Sequence, residues 1–488
     1  MTTIVRLLGF MLLASGLNAQ PLPPVQVSES GTHLESANGE TFIWLGDTAW
    51  ELFHKLTREE TIEYLDNRAA KGFTVIQAVV LAELNGLRTP NAYGHLPLHD
   101  LDPARPNEAY FEHVDFVIDA ASRRGLVIGL LPTWGDKVPS KSPSPGPEVF
   151  TPENAAIFGA FLGSRYADRP LVWILGGDRD PDVGNATEIW HAMGHAIKQA
   201  TDGGQLMTYH PRGWSTSARF FHDAHWLDFN MFQSGHQIGI VPMGRLTEET
   251  QLQKPSKPFI NGEPAYEDIA IRFWDYMDFS KPGPQRVPAG VLNEQGLIVD
   301  PAHFAEGFVT ASDVRRQAYM TYLLGAAGYT YGNNAIWQMY RIGGDIALPT
   351  LTDWREALDR PGARAMRHVR SFLESRPIGR LRPTPEAIHA APEPRNRYPV
   401  LVGYATDGSY LIAHLPHGGE IAIKGSYFPK TPLLAWWFNP RDGSAQRAIV
   451  SREKETNLIH ASSPTEDEDW LLVLDAPGTE FPAPGQGK

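Results

Sequence analysis

Two short segments each deliver a carboxylate where an apolar run breaks off. Val172-Trp173-Ile174-Leu175-Gly176-Gly177-Asp178-Arg179-Asp180-Pro181 passes from strand-forming residues through two glycines to two acids and an arginine. Pro258-Phe259-Ile260-Asn261-Gly262-Glu263-Pro264 follows the same plan and ends at Glu263. If both runs are strands of one parallel barrel, their carboxyl ends converge on a single face, and Asp178 and Glu263 look into one pocket. Two carboxyls placed in this way can cleave a glycosidic bond: one protonates the leaving oxygen, and the other attacks the anomeric carbon or activates water. A separation of roughly 5 to 5.5 Å goes with retention and roughly 6.5 to 9.5 Å with inversion. Each segment also has a plainer reading. Asp178-Arg179-Asp180 could be a surface ion-pair turn and Glu263 a structural carboxylate, with Asp180 the rival of Asp178. In the catalytic reading, Arg179 and Asp180 are expected to pair with each other in support of Asp178.

The other predicted strand ends are polar and aromatic. Asp47 and Trp50 follow the first, Glu83 the second, Trp134 and Asp136 the third, Tyr209 and His210 the fifth. Gln233 and His236 follow the sixth, and Asn334 and Trp337 the eighth. With Arg179 these are the expected substrate-binding residues, since aromatic faces stack on C–H patches of a sugar while amides and carboxylates hold its hydroxyls. Taken singly, each could equally be a packed or capping loop residue.

The elements that must position these residues alternate. Thr41–Trp50 reads as the first strand, and Thr57 with Glu60 makes a capping box opening a helix that stops at Lys71-Gly72. Strand Phe73–Leu81, helix Glu108–Arg124 and strand Leu126–Trp134 follow, and Thr151-Pro152 opens a further helix to about Tyr166. Leu171–Gly176 is then the fourth strand, Ala186–Thr201 a helix, and Leu206–His210, Leu227–Gln233 and Lys257–Glu263 strands five to seven. Residues 268–311 interrupt the alternation and are expected to form loop or lid structure. Helix Ser312–Gly325, strand Gly328–Gly332 and a last helix Trp354–Leu373 complete a (β/α)8 TIM barrel in an α/β fold. Beyond Arg376-Pro377, short apolar runs separated by Gly, Pro and Asp predict a small all-β sandwich, so residues 20–376 are assigned to the barrel and 377–488 to the β domain.

A chain of 488 residues with 42% hydrophobic and 20% charged residues is long enough for one large domain and a smaller one. A net charge of −13 without any basic run argues against nucleic acid as a partner. The absence of cysteine removes disulfides, thiol nucleophiles and zinc–thiolate sites, and the 17 histidines show no metal-ligand spacing, so neither metal nor cofactor is expected. Residues 1–19, with Arg6 before the run Leu7–Ala14 and a small residue at Ala19, follow the plan of a signal peptide. Export to a bacterial periplasm or exterior is expected, with no lasting membrane insertion.

Phe42-Ile43-Trp44-Leu45-Gly46-Asp47-Thr48-Ala49-Trp50, Gly72-Phe73-Thr74-Val75-Ile76-Gln77, Gly176-Gly177-Asp178-Arg179 and Asn261-Gly262-Glu263-Pro264-Ala265-Tyr266-Glu267 together resemble the apiosidase-like glycoside hydrolases, family 140. The likeness covers about residues 25–375, and the remainder is similar to the β domain that follows in these proteins and carries a collagen-binding label. The resemblance implies hydrolysis of a glycosidic bond, release from apiose in a pectin, Asp178 as acid/base and Glu263 as nucleophile. Gly177-Asp178 departs from the Asn-Glu that barrel hydrolases of the broader clan carry at this strand. The competing expectation is a barrel that binds carbohydrate without cleaving it. A peptidase has no support, for want of a metal motif, a cysteine or a Ser/His/Asp set.

Overall fold

The computed structural model describes residues 22–141, 146–277, 286–395, 397–429 and 432–486. The expected signal peptide lies outside them. Eight parallel strands form the barrel: β1 (Trp44–Thr48), β2 (Val75–Leu81), β3 (Val127–Thr133), β4 (Leu171–Gly176), β5 (Met207–His210), β6 (Asn230–Gln233), β7 (Phe259–Asn261) and β8 (Gly328–Tyr331). Every residue of β1 to β8 is buried, as strands covered by helices outside and by one another inside must be. Parallel ladders join successive strands from β1 to β5 and from β6 through β7 and β8 back to β1. The seam between β5 and β6 is closed differently. There the Asp228 N–H donates to the Met207 carbonyl (2.9 Å), the Met207 N–H to Asp228 Oδ2 (2.7 Å), and the Thr208 hydroxyl to the Phe229 carbonyl (2.7 Å).

The helices after these strands are α1 (Arg58–Ala70), α2 (Glu108–Ser122), α3 (Pro152–Tyr166), α4 (Ala186–Ala200), the one-turn α5 (Ala218–Phe221), α6 (Val241–Gln251), α7 (Ala311–Leu323) and α8 (Pro361–Glu374). Both helix starts read from sequence are in place: the Glu60 N–H donates to Thr57 Oγ1 while the Thr57 N–H donates to the Glu60 carboxylate, and Pro152 is the first helical residue after Thr151, which exchanges the same pair of bonds with Asn154. Two expectations need correction. The sequence pattern had not marked α6, and the single last helix is two, Trp354–Ala357 and α8, because Pro361 lacks an N–H and holds Arg360 extended.

Residues 25–27 and 34–36 form an antiparallel hairpin. At the other end of the chain, a six-stranded antiparallel sheet (residues 381–383, 401–405, 410–415, 434–438, 445–447 and 470–475) faces a four-stranded one (388–390, 420–424, 450–452 and 458–462). Alternation along two central strands assigns their faces: Leu411, Ala413, Leu415, Leu472 and Leu474 pack toward the smaller sheet, whereas Tyr410, Ile412, Leu471 and Val473 join the barrel's core. Both faces of the larger sheet are therefore covered, which is why Trp470–Leu474 reads as an unbroken apolar run.

Candidate active site

The turn after β4 owes its shape to glycine. Gly176 and Gly177 have φ of +87° and +127°; a side chain on Gly176 would run into the His210 carbonyl and the Tyr209 ring, and one on Gly177 into Gly135 and Trp134. The backbone threads between β5 and the loop after β3, held by the Gly177 N–H on the His210 carbonyl (3.0 Å) and the Gly135 N–H on the Gly177 carbonyl (3.1 Å). Asp178 itself is left-handed, with φ 54°, a conformation that costs an L-residue energy and concentrates at functional sites. Its N–H donates to His210 Nδ1 (3.2 Å). Arg179 Nη1 donates to the Asp178 carbonyl (2.7 Å) and to Asp178 Oδ2 (3.0 Å). The ion pair expected between Arg179 and Asp180 does not form. Arg179 turns back on Asp178, and Asp180 faces Arg212, whose Nε is 3.2 Å away.

Glu263 stands across the pocket, 5% exposed. Because His210 Nδ1 accepts from Asp178, its ring proton belongs on Nε2, which lies 3.1 Å from Glu263 Oε2. That approach is off the hydrogen-bond axis, so Oε2 keeps an uncommitted lone pair. His236 Nε2 is 3.2 Å from Oε1. Burial alone would raise the Glu263 carboxyl, but His210 and His236 more than offset it and hold it well below its ordinary value. Asp178 goes the other way. Burial raises its carboxyl, Arg179 pulls it back, repulsion by Glu263 lifts it again, and the net shift is upward although the side chain is 40% exposed. One imidazole thus links the backbone of the first acid to the carboxylate of the second.

The surrounding wall is aromatic. Trp50 meets Trp134 at 5.1 Å between centroids and the edge of His210 at 5.5 Å, and donates its Nε1–H to Tyr266 Oη (3.2 Å). Tyr266 meets the His236 ring at a tilt (4.3 Å between centroids) and interacts with the Glu263 carboxylate; it was missed from sequence, although its place three residues after Glu263 in Gly-Glu-Pro-Ala-Tyr was the available signal. Glu83 is pushed well above the carboxylate range by burial and then by the charges of Glu51, Asp178, Asp136 and Glu263. Asp136 is 2% exposed, with Oδ1 on Lys137 (2.6 Å) and Oδ2 without a partner among the described residues. Gln233 is buried, and its side-chain oxygen also finds no partner among the described residues.

Other expected site residues lie elsewhere. Asp47 points outward from the barrel to α1, where Tyr64 Oη (2.5 Å) and Arg68 Nε (2.6 Å) donate to it; this is a buried structural pair. Tyr209 supports the β4 turn from behind, donating to the Arg179 carbonyl (2.8 Å). Asn334 is spent on the Pro349 carbonyl (2.7 Å) and on the Trp337 indole (3.2 Å), so both residues brace the loop after β8. Among the described residues no group of three or more His, Asp or Glu could hold a metal ion, and no helix is long and apolar enough to cross a membrane.

A parallel barrel that presents one carboxyl held ionised and a second carboxyl raised, inside a ring of tryptophan, tyrosine and histidine, is the equipment of a barrel glycoside hydrolase. The chain belongs to the apiosidase-like family, whose catalytic-domain model matches residues 28–380. A second model, "Putative collagen-binding domain of a collagenase", matches residues 387–475. Two solved structures are similar over nearly the whole chain. One is described as a glycoside hydrolase and the other as a family 5 glycoside hydrolase from Bacteroides vulgatus ATCC 8482. Each is 28% identical with a TM-score of 0.78; the alignments cover 94% of this chain and 98% and 95% of theirs. A Paenibacillus cycloisomaltooligosaccharide glucanotransferase, 9% identical over 88% of this chain and 85% of its own with a TM-score of 0.55, shares the fold. No curated protein matches. The protein is a glycoside hydrolase, and its substrate is a carbohydrate.

Proposed function

We propose that the protein is an exported, retaining glycosidase that removes a side-chain sugar, of the apiose furanoside type, from a plant cell-wall polysaccharide. Glu263 is the nucleophile and Asp178 the acid/base. The observation that carries the assignment is the divergence of the two carboxyls: His210 and His236 hold Glu263 well below its ordinary value, while burial and the facing charge of Glu263 move Asp178 upward. In the first half-reaction Glu263 Oε2 attacks the anomeric carbon as Asp178 protonates the departing oxygen; in the second, Asp178 takes a proton from water as water displaces Glu263. The aspartate reaches less far than a glutamate would; its backbone is left-handed and Arg179 donates to its carboxylate. Trp50 and Trp134 supply faces on which the sugar's C–H groups stack. The test is product analysis on pectin and other furanoside-bearing glycans, with NMR of the first-formed anomer. Release of a furanose with retained configuration is expected; an inverted first product would reassign Glu263 as a general base.

A further inference from the structure

The loops that carry His236 and Glu263 are joined by one side chain of α7. Gln317, in the middle of that helix and 1% exposed, accepts the Ala265 N–H on Oε1 (3.3 Å) and donates from Nε2 to the Gln237 carbonyl (3.1 Å). Ala265 stands two residues after Glu263, and Gln237 directly after His236. The two partners fix which way round the amide sits, because a main-chain N–H can only donate and a carbonyl can only accept. Upstream of His236 the same loops meet through the Gly235 N–H on the Glu263 carbonyl (3.1 Å), so the histidine is bracketed between two links to the loop of the carboxylate it faces.

The helix that presents the amide is itself held on several sides. The β domain grips it through Asp469 on Arg315, the Pro416 carbonyl on Arg316 (3.1 Å) and the Tyr398 hydroxyl on Asp313 (2.9 Å). From the barrel, the Tyr322 hydroxyl donates to the Trp44 carbonyl of β1 (2.7 Å), and the Tyr329 hydroxyl of β8 to the Val314 carbonyl (3.1 Å). A polar group on such an element can set the geometry of loops that have less support of their own. Glu263 is faced by His210 from β5, by Asp178 from the β4 turn, by Tyr266 of its own loop and by His236, and its charge reaches Glu83 after β2. Of these contacts, that of His236 Nε2 on Oε1 (3.2 Å) is the one made between the two loops that Gln317 ties.

We propose that Gln317 is a positioning residue for the nucleophile: by joining the loops just beyond His236 and Glu263 it sets the imidazole on Oε1 and so aims Oε2 at the anomeric carbon. The inference takes Glu263 as nucleophile from the reading above. Gln317→Met keeps the length of the side chain and removes both bonds. Gln317→Glu keeps the shape and the acceptor for Ala265 but, when ionised, turns a second acceptor on the Gln237 carbonyl; it reads the site if the Met variant unfolds. Tyr322→Phe is the control, since it takes a buried bond from the same helix without touching either loop. The full-length variants are compared with the wild type in hydrolysis of furanoside-bearing pectin glycans. The imidazole nitrogen signals of His236, assigned by their loss in His236→Gln, are followed by NMR. In both Gln317 variants kcat is expected to fall at least about tenfold while KM changes less than about threefold, because the loss falls on attack and not on binding. The His236 signals are expected to move with it. Tyr322→Phe is expected to unfold at lower temperature with the His236 signals in place. Wild-type kcat and His236 signals in a folded Gln317 variant overturn the proposal, and so do equal changes in Tyr322→Phe, which would leave Gln317 a structural bond only. Absence of hydrolysis in the wild type, or full activity in Glu263→Gln, would overturn the preceding reading instead; the His236 signals would still decide whether Gln317 sets the ring against the carboxylate.

Discussion

At the scale of single residues, the site depends on His210 facing two ways. Its Nδ1 accepts the Asp178 N–H and its Nε2 faces Glu263, so removing the ring loosens the acid's backbone and strips the carboxylate of a partner. A carboxylate that loses such support gains a proton more easily, and its pKa rises. In His210→Gln the acid limb of the pH–kcat/KM profile is expected to move up by about one unit or more, because that limb follows the ionisation of the nucleophile. The alkaline limb, set by loss of the Asp178 proton, moves less. Direct replacement separates the two acids. Glu263→Gln is expected to lose on the order of 10⁴-fold or more in kcat, and Asp178→Asn about 10²- to 10⁴-fold. The Asp178 variant should recover on an aryl glycoside whose leaving group needs no proton; equal loss on both substrates would remove Asp178 from the acid role. Asp47 shows what the sequence hid at this scale. A carboxylate at a strand end can face the pocket or the helix layer, and the deciding partners, Tyr64 and Arg68, stand a turn apart on α1, a helix read from its two ends.

At the scale of elements, much of the barrel was readable because its signals are local. Thr57 with Glu60 and Thr151-Pro152 fix helix starts within four residues, and Gly176-Gly177 marks the end of β4. What was misread depends on distant partners. The helix α8 begins afresh at Pro361 because its first turn docks on the loop after β7: the Gly362 N–H donates to Glu267 (2.8 Å), and a side chain at Gly362 would strike that carboxylate. Nothing near Pro361 in sequence announces Glu267. The helix α6 carries a proline near its start, but Gly244 and a polar second half obscured its period. The β4 turn gives the sharpest test of an element. Gly176→Ala must both adopt φ near +87° and push aside the strand that carries His210, so it is expected to cost roughly 1 to 3 kcal/mol and more than about tenfold in kcat/KM. Gly203→Ala is the control: its φ is +70°, with nothing within 4 Å of an added Cβ, so it keeps the strain and loses the collision. Thermal unfolding and kinetics of the two variants, compared side by side, separate strain from displacement.

At the scale of the whole molecule, the β domain is built into the barrel. Its larger sheet lies against α7 and α8 with Tyr410, Ile412, Phe438, Leu471 and Val473 in the barrel's own core cluster. Two buried bidentate pairs cross the boundary: Arg315 to Asp469 (2.9 and 2.7 Å) and Arg376 to Asp475 (2.9 and 2.8 Å). Sequence showed a change of composition at Arg376-Pro377 but could not show that the sheet beyond it is apolar on both faces for two different partners. Removing one member of a buried pair strands the other, so Arg315→Ala is expected to cost about 3 to 5 kcal/mol in chemical denaturation. The same boundary makes the protein sensitive to acid. His414 is fully buried beside Tyr319, neither ring nitrogen has a partner among the described residues, and burial drops its pKa from 6.5 to about 3. Between those values the unfolded chain binds a proton that the folded chain refuses. The stability is therefore complete above pH 6.5 and declines as pH falls toward 3, by up to about 1.4 kcal/mol per unit from this residue. Asp469 adds to the decline. Burial raises its carboxyl, but Arg315 brings the net shift below the ordinary 3.8, so its contribution holds above that value and is lost under it. His414→Leu removes the buried ring nitrogens at similar volume. It is expected to leave stability at pH 7 equal or higher and to flatten the pH dependence of stability between pH 6.5 and 4, measured by urea unfolding beside the wild type; a variant with the wild-type slope would assign the acid sensitivity to other groups.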